Sequence, residues 1–508
     1  MIRPRALPLI GLLVLTGACA SSATDSTVSG PEPSGMPVPP NGSDDPVGPD
    51  DPVAEGGVEA APDDGDVVDV PLDTTPDASP ELDPAGPPGC GLSAAAFCAD
   101  FEGGRNQVGN RNGDLSVSQF SVSRWRPGIL SEADSVGPAQ IGPCRSGVGA
   151  NPLPPQDVLV CDPSGTITTR HAYIATAEQN YGDTVARISR PFDFAGRTGK
   201  IRFDTMLRTG VGLTGWPTLV VSSLPYSAPQ HTADNTRGAT VREGVAVHFN
   251  ADCNAGGQQN PAPTVYAYHD HREVELTNQA PCARVGFGGE RLNRVEVRLS
   301  SSRIEVWISD ASDNGIDYGT LRRAFSAPLD LGFTRGHVHV GVHNHATYKY
   351  ENLPSWNVRW DNIAFDGPVI AADRVAQAPN AANRNGSNVE LAHRIPANGA
   401  TPALQLPGVD TTGAASARLL FNLMVNTDSN PPSGIRVRYR INDNTWRQLQ
   451  LDPAELAVAN ERASTFTFSR TIPRSDLHNG TNTIRFAGTG MFNSGYQPSI
   501  ANIDIITR

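Results

Sequence analysis

The sequence predicts an all-β protein: a large antiparallel sandwich, then a second, smaller β-sandwich, both preceded by a disordered N-terminal tether. Three observations lead there. Lys200–Arg208, Arg294–Leu299 and Arg303–Ile308 alternate apolar and polar residues at period two, the spacing of a strand with one buried face. Gly, Asn, Asp and Pro clusters separate such runs, and no amphipathic helical period interrupts residues 90–368. Residues 20–89 have a composition that cannot build a core.

The N-terminus opens with Arg3 and Arg5, followed by a short apolar run, Leu7 to Leu15, too brief to span a bilayer. The run ends in Leu15-Thr16-Gly17-Ala18-Cys19. This resembles the lipobox of bacterial lipoproteins, in which small residues fit the signal peptidase and the cysteine is acylated. The resemblance implies a signal peptide over 1–19, lipidation of Cys19 and export. Ala20, not aspartate, follows the cysteine, so by the same analogy the anchor lies in an outer membrane, with the protein on its periplasmic or cell-surface side.

Residues 20–89 hold Pro, Gly, Asp, Ser and Thr, no aromatic residue, 16 acidic residues and no basic one. Such a chain buries too little apolar surface to offset its conformational entropy, and its charges repel one another into an extended spacer. The whole chain carries 53 acidic and 40 basic residues. Removing residues 1–89, with their 16 acids and two arginines, leaves 37 acidic against 38 basic. The net charge of −13 therefore belongs to the tether.

Beyond Cys19 stand Cys90, Cys98, Cys144, Cys161, Cys253 and Cys282. Six suit three disulfides in an oxidising compartment, and local pairing, 90–98, 144–161 and 253–282, closes the shortest loops. Fifteen connectivities are open to six cysteines. The spacings match no zinc site. Lysine occurs only at 200 and 349 against 38 arginines, and no basic patch with interleaved aromatics points to nucleic acid.

Over 90–368, Phe97-Cys-Ala-Asp-Phe-Glu-Gly103 is similar to the opening strand of concanavalin A-like, laminin G-type jelly rolls. Arg294–Leu299 and Arg303–Ile308 resemble their adjacent strands, and Val358–Gly367 their last strand, which pairs near the first. The resemblance covers about half the chain. It implies a jelly roll of a kind that hosts lectins, glycan-binding modules, glycoside hydrolases and polysaccharide lyases, so the fold alone chooses no function. Jelly rolls of this type often carry a structural calcium where first and last strands meet, and Asp100, Glu102 and Asp361 occupy that position.

A retaining β-glucanase on this fold needs paired carboxylates along one strand. The nearest approach, Glu132-Ala-Asp134, has Gly137 where the third carboxylate belongs. No nucleophile elbow, zincin or P-loop motif occurs. The sequence therefore leans away from an enzyme.

Gly336-His-Val-His-Val-Gly-Val-His-Asn-His345 is the most unusual segment. At period two, His337, His339, His343 and His345 share one face around Gly341, while Val338, Val340 and Val342 face the core. Tyr348, Lys349 and Tyr350 follow; His269 and His271 form a second cluster, and His248 stands in another strand. Four readings fit the histidine face. It is a groove binding a polysaccharide or glycoconjugate, with His337, His339, His343, His345, Tyr348, His269 and His271 as contacts. It is a lyase site, since Val340-Gly-Val-His-Asn-His345 resembles a strand of alginate-type lyases, with His343, His345 and Tyr348 as acid–base candidates. It binds a transition metal. Or it is a solvated polar face without a ligand, on a non-catalytic structural or adhesive envelope protein.

Residues 369–405 are rich in Ala, Asn, Pro and Gly and read as a linker. Residues 406–508 read as the second sandwich. Ile435–Ile441 and Thr465–Phe468 alternate, and Asn442-Asp-Asn444 reads as a hairpin turn. Leu477-His-Asn-Gly-Thr-Asn-Thr-Ile-Arg-Phe486 is similar to a strand of galactose-binding-like β-sandwiches, with Ile500–Ile505 as closing strand. That resemblance implies a carbohydrate-binding or spacer module, with Trp446 and Tyr496 as a sugar platform.

Overall fold

The computed structural model describes residues 91–101, 110–112, 115–125, 158–161, 172–177, 183–205, 215–226, 241–255, 258–276, 292–312, 319–344, 356–381, 393–396, 399–424, 437–460, 465–488 and 498–508. All belong to one compact unit, Pro76–Arg508. The expected signal peptide over 1–19, Cys19 and the expected tether over 20–89 lie outside the described residues. So does one member of each expected disulfide pair: Cys90, Cys144 and Cys282.

Among the described residues the first sandwich has sixteen strands, beginning with β1 (Ala95–Ala99), β2 (Phe120–Trp125), β3 (Val158–Cys161), β4 (Ala172–Ala177), β5 (Asp183–Ile188), β6 (Phe192–Asp193), β7 (Gly199–Thr205) and β8 (Gly215–Ser222). Then come β9 (Glu243–Ala255), β10 (Gln258–His269), β11 (Arg272–Leu276), β12 (Leu292–Leu299), β13 (Arg303–Ser312), β14 (Arg322–Pro328), β15 (Arg335–Asn344) and β16 (Trp356–Asp366). One sheet runs β14-β13-β12-β7-β16-β4-β3, with β1 also on β16; the other runs β11-β10-β9-β8-β15-β5-β2, with β6 also on β15. Every pairing is antiparallel. The first strand meets the last, Phe97 opposite Phe365, as the jelly-roll resemblance implies.

The period-two pattern explains the core. On β12 and β13, Val295, Val297, Leu299, Ile304, Val306 and Ile308 are all buried and point inward. Aromatic rings fill the space between the sheets. Phe97 stacks on Phe365 at 5.4 Å, and Phe203 packs against Trp360 at 4.9 Å. Each fully buried Phe stabilises the fold by roughly 1.5–3 kcal/mol through area removed from water. Gly244 permits a close approach at one end: a Cβ there would lie 2.6 Å from the Val221 carbonyl oxygen.

The second sandwich is formed by β17 (Arg374–Gln377), β18 (His393–Arg394), β19 (Leu404–Val409), β20 (Ala417–Met424), β21 (Val437–Ile441), β22 (Arg447–Gln448), β23 (Thr465–Ile472), β24 (Gly480–Gly488) and β25 (Ser499–Thr507). Its sheets run β17-β25-β20-β23, with β18 also on β25, and β19-β24-β21-β22. Around Phe421, Phe468 and Phe486 they enclose a core of their own. The expected turn at Asn442-Asp-Asn444 is present, with Asn442 left-handed at φ 50° and the Asn444 N–H donating to the Ile441 carbonyl at 3.2 Å.

The linker reading of 369–405 needs correction. Arg374–Gln377 and His393–Arg394 both pair with β25, so the second sandwich begins well before residue 406. These strands of four and two residues are too short to show alternation. Among the described residues one short α-helix, α1 (Pro453–Asn460), also joins this sandwich. Asp452 and Glu455 cap it reciprocally, each backbone N–H donating to the other's carboxylate at 3.0 and 2.9 Å. No helix among the described residues is long and apolar enough to cross a membrane.

Candidate functional site

Register sorts the outer face of the β11-to-β2 sheet into transverse rows. One row joins Ser121, Arg187, His339 and Val220 on β2, β5, β15 and β8. Two residues further along lie Ser123, Val185, Gly341, Thr218 and His248. Two further still, Trp125, Asp183, His343 and Trp216 form a third row. Strand alternation puts the first two rows on one face.

The second sandwich covers one end of that face through a buried polar network. The Arg111 Nε donates to the Val122 carbonyl at 3.0 Å, and its terminal nitrogens reach the Ile503 carbonyl at 3.2 Å and the Asp504 carboxylate. Ser121 donates to Asp504 at 2.8 Å. Arg187, 2% exposed, lies 3.6 Å from both Asp373 and Asp504. Arg508 forks onto Asp373 and donates to the His337 Nε2 at 2.9 Å. His337 therefore accepts through Nε2, which in a neutral ring places its proton on Nδ1, 3.9 Å from Asp373.

This overturns the expectation that His337 and His339 line an open groove. They are 3% and 1% exposed. His339 packs its ring 4.1 Å from that of Tyr226, whose backbone N–H points at its Nε2 at 3.5 Å. Burial, the largest cause, and the Arg187 guanidinium hold both imidazoles well below the usual histidine range; Arg508 adds to this at His337. Neutral, enclosed rings of this kind neither reach a polysaccharide nor exchange protons with one.

The other expected residues are dispersed. His343 belongs to the third row, beside Asp183 and Trp216. His345 and Tyr348 lie outside the described residues. His248, fully buried, pairs its Nδ1 with the Thr218 hydroxyl at 2.9 Å. His269 and His271 stand at the tight turn between β10 and β11, not in the rows. His269 pairs with Glu243 at 3.0 Å, and Asp270 and His271 both take left-handed φ, 47° and 64°, as a two-residue primed turn requires. His271, 7% exposed, helps line a narrow cleft between the sandwiches, with Tyr226, Arg242, Glu243, Glu455 and Arg470.

Of the expected calcium ligands Asp100, Glu102 and Asp361, the first and last are among the described residues. Glu102 lies outside the described residues, and Asp361 faces Asp204 across β16 and β7. Arg294 grips both oxygens of the Asp204 carboxylate, at 2.9 and 3.0 Å, and Asn362 donates to it at 2.7 Å. The positive charge beside this pair of buried acids is thus a guanidinium. Asp100 follows β1, and no group of three or more His, Cys, Asp or Glu side chains among the described residues suits a metal ion.

Sequence reading missed Trp125, Trp216 and Asp183. Tryptophans flank an Asp–His pair across four adjacent strands, within roughly 14 Å at the usual interstrand spacing. This row lies four residues along the strands, about 13 Å, from the one tied to the second sandwich. Only register could have found it.

No protein-family model matches the chain, and no curated protein matches it. Solved structures similar to it include the VIP36 exoplasmic/lumenal domain in a Ca2+/Man3GlcNAc-bound form, at 12% identity and TM-score 0.28, over 42% of this chain and 86% of that one. The carbohydrate-binding module CBM66 from Bacillus subtilis shares 10% identity over 40% of this chain and 98% of its own, with TM-score 0.23. Lectin I-B4 from Griffonia simplicifolia shares 10% over 53% and 97%, with TM-score 0.29. Likenesses this distant extend no function to the chain.

Proposed function

We propose that this protein binds carbohydrate through its first sandwich, at the row Trp125, Asp183, His343 and Trp216. The observation that supports this reading is the register itself, which aligns two tryptophan positions, an aspartate and a histidine on four adjacent strands. Sugars offer an apolar C–H face and a ring of hydroxyls. Indoles suit the first, and carboxylate and imidazole accept from or donate to the second. Of the lyase candidates His343, His345 and Tyr348, the last two lie outside the described residues, and the reading proposed is binding without bond cleavage.

Export and anchoring through Cys19 belong to the same proposal: an acidic spacer would hold the sandwiches away from a membrane to meet a polysaccharide or glycoconjugate. The test is affinity measurement on a panel of neutral and uronate glycans with Trp125→Ala and Trp216→Ala. Loss of a buried aromatic anchor costs about 2 kcal/mol or more, roughly thirtyfold in Kd. Unchanged affinity in both variants would refute this site, and a rise in absorbance from unsaturated sugar ends would restore the lyase.

A further inference from the structure

The opposite face of the molecule carries a feature that the carbohydrate row does not use. On the outer surface of the first sheet, β7, β12, β13 and β14 align two rows: Lys200, Arg298, Glu305 and Ser326, and Arg202, Glu296, Trp307 and Arg323. A third pairs Asp204 with Arg294, and Arg303 flanks them two residues before Glu305. Among the described residues six cations thus share this face with four carboxylates, Asp361 lying opposite Asp204, in a chain whose net charge is −13. The residues from Cys90 onward are nearly balanced, so this surplus is local.

The acids are shared rather than matched. Glu296 takes both Arg202 and Arg298, and Glu305 takes Arg303 at 3.2 Å and Arg323 at 3.6 Å. Trp307 is pinned by its Nε1, which donates to Glu305 at 3.1 Å. The Arg298 guanidinium sits over its ring at 4.3 Å and that of Arg323 at 5.9 Å. Among the described residues Arg298 hydrogen-bonds through its Nε alone, on Glu296 at 2.7 Å. Its two terminal nitrogens remain for a further acceptor, with the side chain 19% exposed; Arg323 and Arg303 are 39% and 54% exposed.

We propose that this face, centred on Arg298, Trp307 and Arg323, is a second binding surface, and that its ligand is an acidic polysaccharide bearing carboxylates along a stiff chain. Guanidinium forks stacked on a ring are held in orientation, so little freedom is lost when they meet a planar carboxylate. Arg298 and Arg323 stand two strands and one row apart, and with both guanidinium carbons over the Trp307 ring, at 4.3 and 5.9 Å, their charges lie within about 10 Å of each other, which suits charges repeated along an extended polymer. Nucleic acid is the poorer match, because Trp307 is only 6% exposed and the Arg298 guanidinium already lies over its ring, leaving no open platform for base stacking.

The surface is independent of the Trp125–Trp216 row, so each can fail alone. The test uses the full chain, with polygalacturonate as probe, dextran as neutral polymer and single-stranded DNA as the other polyanion, at 50 and 300 mM salt. Wild type is expected to bind polygalacturonate at low salt and to weaken at least tenfold at high salt. Arg298→Gln with Arg323→Gln should weaken low-salt binding about tenfold, while Trp216→Ala leaves the salt-dependent part in place. Arg303→Gln, at the most exposed of these arginines, supplies a variant with little reason to misfold and should lose roughly threefold. Wild-type affinity in the arginine variants, or tighter binding of DNA than of polygalacturonate, would overturn the proposal.

Discussion

Acidification should loosen this protein through His337 and His339, and the size of the effect can be worked out. Around these rings stand Arg187 on β5, Arg508 and Arg418 of the second sandwich, Asp373 and Asp504 as the local acids, and Tyr226 against His339. Burial and the arginines push both imidazoles well below the ordinary value of 6.5. The unfolded chain takes up these protons near pH 6.5, whereas the folded chain does not until a lower pH. The unfolded state therefore holds more protons in the interval, and stability falls as pH drops through it. Above about pH 6.5 the contribution is fully present. Each histidine costs about 1.4 kcal/mol per pH unit below that point. Between pH 7.5 and 5.5 the pair should lower the unfolding free energy by up to roughly 3 kcal/mol, measured by denaturant titration. His337→Gln should remove about half of that difference, since glutamine keeps a polar group and cannot charge. A variant with the full wild-type pH dependence would refute the reasoning.

Other consequences rest on single contacts. Arg111→Met should destabilise the fold by about 3–5 kcal/mol in the same assay, because it strands Asp504 in the interface beside fewer cations. Phe203→Ala removes a fully buried ring packed on Trp360 and Phe249 and should cost about 3–5 kcal/mol. Cys19→Ala should move the protein from the membrane fraction to the soluble one after cell lysis; retention in the membrane would remove the lipid anchor from the account.

The all-β class was legible because alternation needs only neighbours in sequence: β12, β13 and β24 carry it in their own residues. The jelly-roll closure was legible from motif order, and Phe97 does meet Phe365. The histidine strand was also read correctly as a strand, with Val338 and Val340 in the core. What faced its histidines could not be read. Arg508 and Asp373 come from elsewhere in the chain, and nothing near His337 announces that a second sandwich rests there. The Trp125–Asp183–His343–Trp216 row was hidden for a related reason. Its members are spread from residue 125 to residue 343, and only pairing register brings them side by side. The helix at Pro453 was visible in principle, since Asp452-Pro-Ala-Glu455 is a capping signature, but eight residues show little period.

The most direct test of the account is backbone hydrogen exchange, with and without the tightest-binding sugar of the glycan panel. Carbohydrate binding at the proposed row predicts added protection at residues 123–125, 183–185, 215–218 and 341–344 together, with β12 to β14 unchanged for a neutral sugar. Protection confined to the cleft near His271 and Glu455, or to the second sandwich, would contradict it.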